Sequence, residues 1–375
     1  MSALSPAPPL PARSHGLWAL AWARLLRDWV GVVSAMVVAL FFLATLASGS
    51  GWVAGDWANE IGVSYAPPSF LRSSAHEAAA GAPESVQAGS PGGAAEDLGI
   101  ADPIAEELAA AAGKEGSGRA DESGIIDPLT EELAQIRRRT VVGAESATRA
   151  AYLVMGADKW GRDVLLKTIK GTETSLFVGM AAALVAAFLG TLFGAQAGYR
   201  GGKLDDFFNW LYSVLTSMPY LLLILAIAAV LGRKGTLTVI LILGLTGWTG
   251  IFRLVRAEFM KHRVREYVLA AEAIGASHTR RMFVHILPNV SHVVLVQLSL
   301  HVVMFIKSEV ILSFLGFGVG VDTVSWGSML NEAQTELLLG RWWQFVAATG
   351  AMAVLVTAFS LFTDALRDAL DPTLK

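Results

Sequence analysis

Apolar positions in this chain fall into long unbroken runs rather than narrow stripes. Six runs contain no Asp, Glu, Lys or Arg: 30–48, 174–198, 207–231, 235–252, 286–306 and 342–363. Each is close to the roughly 20 residues that a helix needs to cross a bilayer core. A seventh run, 310–321, has 12 residues. It is too short to span and is read as the end of the fifth helix plus a re-entrant or interfacial turn. The pattern predicts an all-α membrane protein with six transmembrane helices. Trp326, Trp342 and Trp343 suit the water–lipid boundary. The first run exceeds a usual signal-peptide core and no clear cleavage site follows, so a retained anchor is expected.

Composition agrees. Apolar residues make up 54% and charged residues 16% of the chain, where soluble domains carry about 25% charged. The chain has no cysteine, which removes thiol catalysis, Cys-ligated zinc and iron–sulfur clusters.

Charge is unevenly placed and gives an orientation. Residues 50–155 hold 16 acidic and 7 basic residues, whereas the remainder holds 22 basic and 16 acidic. Basic residues flank the cytoplasmic ends of spans. With the N-terminus inside, the inner segments carry fourteen: Arg13, Arg24, Arg27, Arg200, Lys203, seven within 253–285, Arg367 and Lys375. The short outer loops carry Arg233, Lys234, Lys307 and Arg341. Both termini are therefore expected in the cytoplasm, with 1–28 an inner tail, 29–49 the first span and 50–155 an outside insertion. Within it, 73–124 is rich in Ala, Gly, Ser and Glu, a poorly packing composition. Asp102-Pro103 with Glu106-Glu107-Leu108-Ala109 returns as Asp127-Pro128 with Glu131-Glu132-Leu133-Ala134. Asp, Pro and Glu in that order make a helix start. A docking site for a soluble partner competes here with an insertion of no essential role, and the second reading is favoured.

Most inner charge lies in 257–288. Tyr267, Ala270, Ala271 and Ile274 fall at helical spacing on one mostly small apolar stripe. Gly275 stands where a residue of positive φ ends a helix. Ser277 can cap a second helix, which is expected to break at Leu287-Pro288. Such an elbow, tied to a span, suits the transmission of force from a soluble partner; a basic helix lying on anionic lipid competes with it.

This stretch resembles the EAA loop of ABC importer permeases. Ala270-Ala271, Gly275 and Leu287-Pro288 match at the right spacing, while Leu269 replaces the Glu and His285 the Ile. Gly156-Ala-Asp158-x-x-Gly161-Arg162-Asp163-Val164 resembles the segment before the second span in dipeptide, oligopeptide and nickel permeases. Gly198-Tyr199-Arg200-Gly201-Gly202-x-x-Asp205, the run from Glu309 through Ser313 to Gly318, Ser325-Trp326-Gly327 and the C-terminal Asp364 to Pro372 are similar in the same way. The resemblance covers about 156–375 plus the first span. It implies a type I ABC importer fold with a permease core over 156–370. It implies a second, different permease subunit, two ABC ATPase subunits and an extracytoplasmic substrate-binding protein as partners, in a bacterial inner membrane. Its ATPase-coupling residues would be Tyr267, Ala270, Ala271, Ile274, Gly275, Ala276, His285, Leu287 and Pro288.

No catalytic residue, cofactor or nucleic-acid site is expected. Gly202-Lys203 lacks the first Gly and the Ser/Thr of a phosphate-binding loop. His278, His285 and His292 recur every seven residues, which is not the spacing of a helical metal pair. Gly190, Gly194 and Gly198, and Gly244, Gly247 and Gly250, are expected to let helices pack closely. Glu309, with Ser313 one turn on, is a candidate for the pathway or the interface with the partner permease, set against a structural bond. A secondary transporter would carry ionisable groups mid-span, and a membrane enzyme would cluster acid, base or metal ligands.

Overall fold

The computed structural model describes residues 23–71, 152–320 and 322–370. Among these there are helices, turns and one isolated bridge, Ala157 to Asp163. The near-repeat and the acidic stretch 73–124 lie outside the described residues.

The first helix, α1 (Trp29–Gly49), starts where the Asp28 carboxylate accepts the Val30 N–H, an N-cap. α2 (Val164–Arg200) is 37 residues long and is capped in the same way by Asp163. It begins ten residues before the second apolar run. The polar turns from Val164 to Glu173 continue the helix beyond the stretch that hydropathy marks. α3 (Gly202–Thr216) and α4 (Tyr220–Leu231) carry the third run, expected as one straight span, as a bent pair. They meet at 87° across Ser217, Met218 and Pro219. Proline has no N–H and clashes with the preceding turn, so the helix cannot run straight through it.

α5 (Thr236–Thr246) and α6 (Thr249–His262) carry the fourth run ten residues past Phe252, to His262. α7 (Glu266–Ala273) is a short helix after the Arg265 cap position. α8 (His278–Phe314) is the fifth span. The break expected at Pro288 does not occur. Arg281–Ile286 widens into a π turn, with the Leu287 N–H reaching back to the Met282 carbonyl, and α-helix resumes from Leu287. A π turn absorbs an irregularity without ending the helix. α9 (Trp326–Leu338) was not foreseen, and α10 (Trp343–Leu370) is the sixth run extended at its C-terminal end. Of the run at 310–321, the residues to Phe314 end α8 and 315–320 form a turn.

Among the described residues, five helices are long and apolar enough to cross a membrane, or six if the bent pair α3–α4 is one span. α2 is the central element, packed on α6, α8 and α5, while α1 lies against α10 and α2. α1 is tied to α2 where Ser48 donates to Glu173 at 2.5 Å and Lys170 pairs with the same oxygen at 2.7 Å.

Two tryptophans expected at the lipid boundary turn inward instead. Trp326 is fully buried and donates its indole N–H to the Thr168 carbonyl at 3.2 Å. Trp343 is buried and donates to the Ala157 carbonyl at 2.7 Å. A buried indole N–H needs such an acceptor, and both find one on the backbone around the start of α2. Trp342 remains exposed.

Candidate functional site

One end of the helix bundle carries the elbow. Val268 and Ala271 on α7 are buried, with Val268 packed in the cluster of Phe259, Met282 and Ile286. Tyr267, Ala270 and Ile274 face outward. The expected stripe is thus divided, since Ala271 serves the inner face. Eight residues must bury one side on the π turn of α8, and Val268 with Ala271 present the side that fits. At the tip, Ile274 is 86% and Leu269 51% exposed.

Gly275 has φ of +86°, the left-handed conformation that glycine adopts without strain. Its N–H bonds to the Glu272 carbonyl at 2.8 Å and that of Ala276 to the Ala271 carbonyl at 3.0 Å, closing the helix end. Ser277 then caps α8 by accepting the Arg280 N–H at 3.4 Å. His285 is half-buried in the π turn, Leu287 packs on the same cluster as Val268, and Pro288 is exposed.

Polar contacts bolt this elbow to three long helices. Arg281, almost fully buried, pairs with Glu272 at 2.6 Å and meets His278 Nδ1 at 2.9 Å. Its guanidinium lies over the Tyr199 ring at the end of α2, 5.8 Å from the centroid. His262 Nδ1 meets the Tyr267 hydroxyl at 2.8 Å. Behind the elbow, Tyr199, Arg200, Arg263, Val264, Glu272, His278 and Arg281 line an open groove of about 460 Å³.

The α2–α6 contact fixes where the elbow sits. Gly190, Gly194 and Gly198 bring α2 against the α6 backbone. A Cβ added at Gly190 would lie 2.8 Å from the Trp248 carbonyl oxygen, and one at Gly194 2.8 Å from that of Phe252. The expectation of close packing holds for these three. One turn further, Asp205 of α3 takes the Arg256 guanidinium in two bonds, 2.5 and 2.7 Å.

At the other end, the Glu309 carboxylate is fully buried and accepts the hydroxyls of Ser175 at 2.7 Å and Ser313 at 2.6 Å. Ser175 in turn receives the Trp326 N–H, and Ser313 the Val319 N–H, both at 3.3 Å. One carboxylate thereby joins α2, α8, the 315–325 turn and the start of α9. Of the roles weighed for Glu309, the geometry displays the structural bond. Nearby, Lys167 is buried on α2 with its ammonium 2.7 Å from Asp158, 2.6 Å from Glu332 and 3.4 Å from the Gln344 side-chain oxygen. Sequence reasoning missed Lys167 and Glu332. Their pairing spans 165 residues and leaves no local mark in the sequence. Among the described residues, no group of three or more His, Asp or Glu is placed to hold a metal ion.

Apolar helices packed around a close-packed α2, an elbow bolted to three of them and a buried polar cluster are the architecture of a polytopic membrane protein. Residues 188–375 match the family described as "Binding-protein-dependent transport system inner membrane component". The dipeptide transport system permease protein DppC of Bacillus subtilis is 38% identical over 220 residues, 59% of this chain and 68% of the relative. The oligopeptide transport system permease protein OppC of the same organism is 36% identical over 59% of this chain and 72% of its own length. The di/tripeptide transport system permease protein DppC of Pseudomonas aeruginosa is 35% identical over 60% and 74%. The chain belongs to this family of ABC importer permeases and has its type I fold.

Proposed function

We propose that this chain is one of two permease subunits of an ATP-driven importer of peptides, coupled to ATPase subunits through the 266–277 elbow. The observation that carries the coupling is mechanical. An exposed apolar tip, Leu269 and Ile274, sits on a short helix that Arg281, His262 and Val268 fix to α2, α6 and α8. A push on that tip moves long helices rather than bending a loop. Peptide cargo is supported by the relatives, which are named for dipeptide, oligopeptide and di/tripeptide transport. Two ABC ATPases would dock inside. A substrate-binding protein would deliver cargo outside, and a different permease would complete the path. The chain itself does no covalent chemistry. Residues 50–155 are proposed as an outside insertion and 156–370 as the permease core.

Gly275→Val tests the elbow. A β-branched residue at φ of +86° is strained by about 1–3 kcal/mol. No atom lies within 4 Å of the added Cβ, so the damage is confined to the backbone turn. Subunit levels in the membrane should stay near normal. ATPase stimulation by loaded binding protein and uptake should fall together, several-fold. Unchanged stimulation and uptake would remove 266–277 from the coupling role.

Orientation is checked by single cysteines in this cysteine-free chain. A cysteine replacing exposed Asn59 should react with an impermeant thiol reagent in intact cells, and one replacing exposed Ser277 should react only after lysis. The reverse pattern would invert the proposed topology.

A further inference from the structure

Glu336, near the end of α9, is 1% exposed, and neither carboxylate oxygen meets a donor in hydrogen-bond geometry. The groups around it are mostly acidic. The turn before α2 contributes Asp158 and the backbone of Lys159, α2 contributes Lys167, and α9 itself contributes Glu332 one turn back. From α10 comes the neutral Gln344, whose amide N–H₂ already donates to the Met329 carbonyl and to Glu332. Lys167 is likewise engaged, with Asp158 and Glu332 both within 2.7 Å of its ammonium.

One ammonium thus already balances two carboxylates, and an ionised Glu336 would be a third negative group in a buried pocket. A buried charge without a partner takes a proton instead. We propose that Glu336 is a proton-binding site, holding a proton while α9 is closed over Lys167 and releasing it when water reaches the cluster. Burial chiefly, then Asp158 and Glu332, push its pKa up to about 7, against the opposing pull of Lys167 and the Lys159 backbone. The cluster therefore changes its charge near neutral pH.

The sign follows from linkage. The folded protein binds this proton more tightly than the unfolded chain. The stability it adds is fully present below an ordinary carboxylate pKa, declines as pH rises, and is gone above about 7. The test uses the full-length protein in lipid nanodiscs, with thermal unfolding followed from about pH 4.5 to about pH 8.5. Glu336→Gln keeps the shape and the neutral state. The wild-type midpoint minus that of Glu336→Gln should fall as pH rises toward about 7 and then level. A difference that stays flat across the range would overturn the proposal. Infrared difference spectra between acid and alkaline samples give a second readout that does not depend on the Gln variant folding. Wild type should show a protonated buried carboxyl band that shifts in Glu336→Asp. Absence of the band, or a band that Glu336→Asp leaves in place, would also overturn it. Neither readout involves transport, so the outcome is independent of the functional proposal above.

Discussion

Replacing Lys167 with methionine should cost about 3–5 kcal/mol, the range seen when one partner of a buried ion pair is removed. Methionine fills much of the same volume, so the loss comes from charge and not from a cavity. The Lys167 ammonium sits 2.7 Å from Asp158 and 2.6 Å from Glu332. Asp158 has no exposed surface. Its other oxygen takes the N–H groups of Trp160 and Arg162 at 2.8 and 3.0 Å, which hold the turn before α2. Without the lysine, a buried carboxylate and a half-buried one are left with no cation between them. The turn, α9 and the start of α10 should loosen together, because Gln344 and Trp343 are anchored in the same place. Thermal unfolding in detergent and steady-state membrane level should both drop sharply. Lys167→Met combined with Asp158→Asn should recover part of the loss, since the double variant buries fewer unpaired charges. A Lys167→Met protein as stable as wild type would show that the cluster does not tie α2, α9 and α10 together.

Gly194→Leu should be the other severe substitution. Its Cβ would lie 2.8 Å from the Phe252 carbonyl oxygen, 2.9 Å from Val255 Cβ and 3.0 Å from the Arg256 nitrogen. Two of those atoms are backbone in the middle of α6 and cannot swing aside. Overpacking of this kind costs typically 1–3 kcal/mol, and a full leucine side chain against helix backbone belongs at or beyond the upper end. α6 would be levered off α2, and the elbow after its C-terminus would move with it. The Asp205–Arg256 pair, one turn on, would be stretched too. Gly350→Leu on α10 is the control, because nothing lies within 4 Å of its added Cβ. Compared in the isolated chain, the Gly194 variant should lose membrane level and thermal stability while the Gly350 variant keeps both. Equal behaviour of the two would mean that the α2–α6 contact is not close-packed.

The spans were readable because hydropathy is a direct consequence of burying helix surface in lipid. Their ends were not, because a helix does not stop where the membrane does. The polar turns 164–173 and 253–262 are helical, and charges on them, Lys167 and Arg256, pair with other helices. α9 follows the more apolar run 310–321 and has no long apolar run of its own, yet Trp326–Leu338 carries its own signals. Ser325 caps it, and Trp326, Met329, Leu330 and Ala333 recur at helical spacing on its buried face. The kink at Pro219 was legible in principle, as a proline inside an apolar run.

The elbow was read from spacing and resemblance together. Its turn at Gly275 and cap at Ser277 are local features, and local features survive in sequence. The split of its stripe was not legible, because Val268 and Ala271 face inward only once the π turn of α8 is beside them. Lys167 and Glu309 find partners 165 and 134 residues away. No local pattern marks such a pair, and a charge at the edge of an apolar run looks like a boundary marker.

The most direct test of the transport account is uptake of labelled di- and tripeptides by proteoliposomes holding this permease, its partner permease, the ATPases and the binding protein. Uptake should require ATP inside the cytoplasmic-face compartment and loaded binding protein on the other face, and should be indifferent to a proton gradient alone. Peptide uptake that persists without ATP, driven by a proton gradient through this chain by itself, would contradict the account and favour a secondary transporter.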